Sequence, residues 1–309
     1  MQLSPKGVIT FFAFFISWSI SAQEIDQKNL IKHISYLASD ELKGRKTLTE
    51  GNVKAQGYII SEFTSYGLYT HYKDYQQSFS FQNRRENKEY ENAKNIVGFV
   101  PGTESRKIIV ISGHYDHLGI GKANAAGDSI FNGADDNASG TSAMLALAEY
   151  FSKNPPKHSM MFVAFDAEEM GLQGAKALLE DFPFELEEIL LNINMDMVGR
   201  NDKNELYASG TFHNPYLKPI LERAAAGSSP TLLFGHDEPS SKQQDWTQSS
   251  DHGPFFSKGI PHIYFGVEDH PDYHKQSDEF LGIQPDFFVA TTNLILNCIL
   301  ELDQSLLED

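Results

Sequence analysis

The fold turns on one stretch, Arg106-Lys107-Ile108-Ile109-Val110-Ile111-Ser112-Gly113-His114-Tyr115-Asp116-His117. Four consecutive β-branched residues form the centre of a buried strand, and the chain then switches abruptly to imidazole and carboxylate. A continuously apolar strand is covered on both faces, as in the parallel sheets of α/β proteins. In open sheets of that kind the ligand crevice lies just beyond the carboxyl ends of the strands. His114–His117 stands at that place.

The same switch recurs along the chain. The apolar segment 159–165 runs into Asp166-Ala167-Glu168-Glu169, and 189–195 runs into Asp196. The segment 261–265 leads to Glu268-Asp269-His270-Pro271-Asp272-Tyr273-His274. Between the first two lies Asn132-Gly133-Ala134-Asp135-Asp136-Asn137-Ala138-Ser139-Gly140, a carboxylate-rich turn opening a helix. Each piece alone has a plainer reading. His114–His117 could be a surface loop, Asp135-Asp136-Asn137 a helix N-cap, and Glu168-Glu169 a charged helix start. His274 has competitors in His117, His252, His262 and His270. The convergence decides: four strand ends delivering imidazole and carboxylate form a donor set suited to Zn²⁺ or a related ion. The acid present suffices for two ions sharing one carboxylate.

Strand and helix patterns alternate around these points. Helical spacing covers 29–38 and 51–68, and strands are expected at 94–100 and 106–112. A helix at 139–151, a strand at 159–165 and a helix at 172–180 follow. Strands at 189–195 and 206–209, a helix at 215–225 and strands at 231–234 and 261–265 come next, and a helix at 285–301 closes the chain. The expected architecture is α/β: a single three-layer α/β/α domain over residues 23–309, with a mostly parallel, twisted mixed central sheet.

Forty-two acidic against 25 basic residues give a net charge of −17. Nucleic acid and anionic membranes want a basic face, so neither is an expected partner. Lys6 precedes an apolar run from Gly7 to Ile20, and Ser21-Ala22-Gln23 follows. That pattern is expected of a secretory signal peptide over residues 1–22, since the run is shorter than the ~20 residues of a spanning helix. The mature chain is then expected to be exported, periplasmic or secreted, with no membrane anchor left after processing. Cys298 is the single cysteine, so no internal disulfide can form, and its apolar helical context reads as core.

Taken in order, the motifs resemble the secreted di-zinc aminopeptidases, a clan that includes glutamate carboxypeptidases and glutaminyl cyclases. The similarity begins at Leu37-Ala38-Ser39-Asp40-Glu41-Leu42-Lys43-Gly44-Arg45. It runs through Gly113–His117, Gly133–Gly140, Glu168-Glu169-Met170-Gly171-Leu172-Gln173-Gly174 and Asn194-Met195-Asp196-Met197 to Ser250-Asp251-His252-Gly253-Pro254-Phe255. The resemblance implies a zinc-exopeptidase fold and two Zn²⁺ per chain. It implies that His114 and Asp196 hold one ion, Glu169 and His274 the other, and Asp136 bridges both, with a cis peptide between Asp136 and Asn137. It makes Glu168 the general base, Asp116 the carboxylate behind His114, and Tyr273 a stabiliser of the oxyanion. The implied substrates are peptides with a free N-terminus.

Some relatives carry an arginine two residues before the Asp-His pair, where this chain has Ser249. Others insert a protease-associated domain, for which the segment 68–95 is too short. The side-chain pocket is expected near Met197 and residues 248–256. Competing readings on the same scaffold are a carboxypeptidase, a glutaminyl cyclase and a catalytically inactive binding ectodomain.

Overall fold

The computed structural model describes residues 24–84 and 86–307; the expected signal segment, 1–22, lies outside them. Helices α1 (Gln27–Leu37) and α2 (Glu50–Tyr66) precede a hairpin of β1 (Gln76–Asn83) and β2 (Lys88–Val100). Then come β3 (Ser105–His114), the short pair β4 (Gly119–Ile120) and β5 (Ile130–Phe131), α3 (Gly140–Lys153), β6 (His158–Phe165) and α4 (Gln173–Glu180). The chain continues through β7 (Ile189–Met195), β8 (Glu205–Ser209), α5 (Lys218–Ala224) and β9 (Thr231–Phe234). It ends with α6 (His252–Ser257), β10 (His262–Gly266) and α7 (Pro285–Ser305).

Among the described residues the main sheet has eight strands, in the order β1-β2-β6-β3-β7-β10-β8-β9. Its centre, β6-β3-β7-β10, is parallel throughout. β2 and β8 flank that block antiparallel, so the sheet is mixed with a parallel core, as the apolar strands imply. Side chains alternate across it with period two. Ile109, Ile111, Met160, Phe162 and Ala164 face the layer built by α1, α2, α3 and α7. Ile108, Val110, Met161, Val163 and Phe165 face the opposite layer, where α4 supplies Leu178 and Leu179 and α6 supplies Phe255. Burying each large apolar side chain contributes roughly 1.5–3 kcal/mol, and these two interfaces hold the sheet as the middle of three layers. Cys298 lies fully buried in α7, where burial pushes its thiol up to about 12.

Three segments depart from expectation. β1 and the first half of β2 form a hairpin where only 94–100 had been expected as strand. Gln76-Gln77-Ser78-Phe79-Ser80-Phe81-Gln82-Asn83 has just two apolar residues, the habit of an edge strand whose outer side meets water. The helix expected at 215–225 divides into a 3₁₀ turn, Pro215–Leu217, and α5. The Asp251-His252 motif stands at the start of a short helix, α6, that periodicity could not show. No helix among the described residues is long and apolar enough to cross a membrane.

Candidate metal centre

Left-handed backbone marks several of the strand exits. Ala167 (φ 58°) follows β6, Met197 (φ 59°) follows Asp196, and His274 itself has φ 54°. Such a conformation costs an L-residue about 1–2 kcal/mol, so surrounding packing must hold it. At Ala167 it turns the chain sharply enough to bring Glu168 and Glu169 back over the strand ends. Gly133 (φ 55°) starts the turn between β5 and α3, and a Cβ there would meet Asp136 O at 2.2 Å. The peptide between Asp136 and Asn137 is cis.

Polar groups from distant parts of the chain pin this turn. The Asn137 amide donates to Met195 O (2.9 Å) and accepts from Gly140 N–H (2.8 Å), tying it to the end of β7. The Asp278 carboxylate accepts the backbone N–H groups of Asp135 and Asp136, each at 3.0 Å. Arg45, fully buried, donates to Tyr115 O (2.8 Å), Asn132 O (2.7 Å), Gly133 O (3.0 Å) and Leu37 O. Burial lowers its guanidinium to about 10, so it stays cationic at neutral pH. One arginine thus joins the loop after β3 to the turn carrying Asp136.

The structure brings all eight expected site residues to the carboxyl end of the sheet. His114 Nε2 lies 3.4 Å from Asp136 Oδ1 and 3.5 Å from Asp196 Oδ1. His274 Nε2 lies 3.1 Å from Asp136 Oδ2 and 3.4 Å from Glu169 Oε2. Asp136 therefore shows one oxygen to each imidazole. Donors about 2.0–2.1 Å from a tetrahedral zinc stand about 3.4 Å from one another, so these spacings fit ligands of a common ion. Asp196 Oδ1 is buried with no hydrogen-bond partner among the described residues, and Glu169 Oε1 is buried with only the His117 ring nitrogen beside it at 2.7 Å, outside hydrogen-bond alignment, as expected of oxygens that face a cation. Donor atoms of His114, Glu168 and Asp196 also lie within 4.8 Å of one another, as do those of His117, Asp136 and Glu169. Distance alone thus leaves Glu168 and His117 among the residues able to reach an ion.

Electrostatics separate the carboxylates. Burial, with Asp251, Glu169 and Asp196 beside it, pushes Glu168 well above the usual carboxylate range despite the opposing pull of His114. Burial acts the same way on Asp136, but His117, His114 and His274 outweigh it and hold Asp136 well below that range. Burial would lower His114, yet Asp196, Glu168 and contacts with Asp116 and Asp136 raise it well above the ordinary imidazole value. Neighbouring carboxylates of opposite tendency are the pattern of divided acid–base roles.

Two expectations need adjustment. His114 Nδ1 faces Asp116 through the backbone carbonyl (3.1 Å), whereas the carboxylate is 3.7 Å away. That carboxylate instead accepts backbone N–H from Glu168 (3.1 Å) and Glu169 (3.4 Å). Met197, Gln248 and Ser249 line the cleft over the centre, but Phe255 is core, and Phe256 lines a neighbouring cavity. Sequence reasoning gave no role to three residues. His117 sits 2.7 Å from Glu169 Oε1, and its only signal was the His-x-x-His spacing. Asp278 and Arg45 act through backbone groups, which no motif spacing could reveal.

The fold and this donor set are of metallopeptidase type. The chain belongs to peptidase family M28: the family model matches residues 95–299, which contain every residue of the cluster from His114 to His274. It is 28% identical over 222 residues to aminopeptidase YwaD of Bacillus subtilis, covering 68% of this chain and 45% of that protein. A probable zinc metalloprotease of Pyrenophora tritici-repentis is 27% identical over 219 residues, covering 60% of this chain and 48% of the other. The chain spans about half the length of these curated relatives. In fold it matches a glutaminyl cyclase of Bacteroides thetaiotaomicron with a TM-score of 0.71 at 17% identity, over 90% of this chain and 99% of that one.

Proposed function

We propose that the chain is a zinc-dependent aminopeptidase that removes N-terminal residues from peptides with a free N-terminus. The observation that carries this reading is Asp136, whose two oxygens lie 3.4 Å from His114 Nε2 and 3.1 Å from His274 Nε2 within one cleft. In this reading His114 and Asp196 hold one ion, Glu169 and His274 hold the other, and Asp136 is shared. Zinc bound there supplies Lewis acidity to the scissile carbonyl and to the attacking water.

The chain's own residues do the rest. Glu168 accepts the proton of that water and delivers it to the leaving amine, a task suited to a carboxyl of raised proton affinity. Tyr273, stacked on His274 at 4.0 Å between ring centroids, offers a hydroxyl to the carbonyl oxygen as charge develops there. Asp116 is a positioning residue, since its carboxylate fixes the backbone of Glu168 and Glu169. The acidic cleft wall, including Asp269, favours a protonated α-amine. The apolar run from Gly7 to Ile20 supports export to the periplasm or the medium.

The test is a panel of free and N-acetylated peptides offered to the zinc-loaded protein, with products identified by mass. Release of single N-terminal residues from the free peptides alone is expected. Internal cleavage of acetylated peptides would overturn the reading. Loss of ammonia from N-terminal glutamine without peptide cleavage would make the protein a cyclase instead.

A further inference from the structure

The cleft over the metal centre encloses about 910 Å³, and its charge is unevenly placed. Among the described residues, five carboxylates line it, Asp136, Glu168, Glu169, Asp196 and Asp269, whereas the lysine and arginine residues that line it are Arg84 and Lys176. Both belong to one wall, built by the β1–β2 hairpin and α4. Lys176 Nζ is already engaged, donating to Gly171 O at 2.8 Å. Arg84 is exposed and forms no ion pair among the described residues.

The hairpin that carries Arg84 is firmly seated. Phe81 stacks on Tyr90 at 5.2 Å and 7°, and both pack on Ala167 and Met170, the residues flanking Glu168-Glu169. Gln77 donates from β1 to Ala177 O of α4 at 3.1 Å. Glu86, the acid of the same hairpin turn, points away to Lys46 (3.8 Å) and Tyr90. The turn therefore offers the cleft a guanidinium and keeps its own carboxylate elsewhere.

We propose that Arg84 binds a carboxylate of the substrate beyond the scissile bond, so that the enzyme favours short peptides with a free C-terminus. The proposal rests on the aminopeptidase reading and adds a specificity to it. Glu168 must face the scissile nitrogen to protonate it, and the loop bearing Glu168 packs on the hairpin. The leaving part of the peptide consequently runs toward Arg84, while Met197, Gln248 and Ser249 on the other wall receive the N-terminal side chain. A guanidinium matches a carboxylate with paired N–H donors. An acidic side chain in the leaving part has the same chemistry, and the substrate set separates the two.

The experiment compares kcat/KM for Leu-Gly and Leu-Gly-amide, for Leu-Gly-Gly as acid and amide, and for Leu-Asp-amide against Leu-Asn-amide. In the wild type at low salt the free acid is expected to exceed its amide about tenfold, the size of one charged hydrogen bond. The ratio should fall toward one in R84Q, below one in R84E, and toward one as salt rises. Because the ratio is internal to each variant, general loss of activity cancels. A matching preference for Leu-Asp-amide alone would assign Arg84 to an acidic side chain and overturn the C-terminal assignment. Equal turnover of acid and amide in the wild type, or a ratio unchanged in R84Q, would overturn the proposal. Hydrolysis of leucine p-nitroanilide, which lacks a carboxylate, checks the aminopeptidase reading separately. Thermal-shift binding of a reduced-bond Leu-Gly as acid and amide decides the role of Arg84 without turnover.

Discussion

Asp278 holds Asp136 in place through the backbone, its carboxylate accepting the Asp136 N–H at 3.0 Å from 142 positions further along the chain. The same carboxylate accepts the Asp135 N–H. The turn that shows two oxygens to two imidazoles therefore depends on a residue from the segment before α7. Asp278→Ala leaves two buried N–H groups unpaired, each costing about 1–3 kcal/mol. The expected result is a loss of about 2–5 kcal/mol in chemical denaturation, together with weaker zinc binding by equilibrium dialysis. Unchanged stability would show that water replaces the carboxylate.

Glu168 and Glu169 are neighbours of identical chemistry with different surroundings. Glu168→Gln should retain metal and lower kcat by on the order of 10² to 10⁴, with KM little changed, because the amide fills the same volume but accepts no proton. Glu169→Gln should lower affinity for one ion, and added zinc should restore part of the activity. Metal analysis beside turnover decides the assignment; metal loss from the Glu168 variant alone would reverse the two roles.

Asp136→Asn should deplete both ions together, since an amide is a poor shared ligand, whereas His114→Ala should deplete chiefly one. Zinc titration of the two variants, followed by metal content per chain, makes the comparison. Equal and mild effects would argue that Asp136 is not shared.

Three buried histidines outside the proposed ligand set tie stability to pH. Burial lowers His33 to about 4, His262 to about 4 and His252 to about 3. The unfolded chain protonates each near 6.5 while the folded chain resists, so the unfolded state binds more protons between those values and stability falls as pH drops. The stabilisation is whole above about pH 6.5 and is lost progressively toward pH 4, by on the order of 3 kcal/mol for a fully buried imidazole. Denaturation midpoints from pH 7 to pH 4.5 should decline for the wild type and less steeply for His262→Phe. A parallel decline in both would remove His262 from the account.

Much of this molecule is legible in its sequence because the signals are local. Ile108-Ile109-Val110-Ile111 can only be a buried strand, and its abrupt change to His114 and Asp116 marks a strand exit. The repetition of that change at Asp166, Asp196 and Glu268 gives the parallel core and the end of the sheet where chemistry gathers. The hairpin of β1 and β2 escapes because an edge strand with a wet face carries little apolar pattern. The choice among histidines escapes for a different reason. His117 and His274 converge on Asp136 and Glu169, His270 meets Asp135 at 3.1 Å, and His252 and His262 stack within the core, although all five are the same residue type. Composition and periodicity determine which segments become strands and helices, and so where a crevice must open. Which oxygen meets which nitrogen depends on groups brought together from opposite ends of the chain, such as Arg45 on Gly133 O and Asp278 on Asp136 N–H. Those contacts come into being only when the layers pack, so only the tertiary structure could decide them.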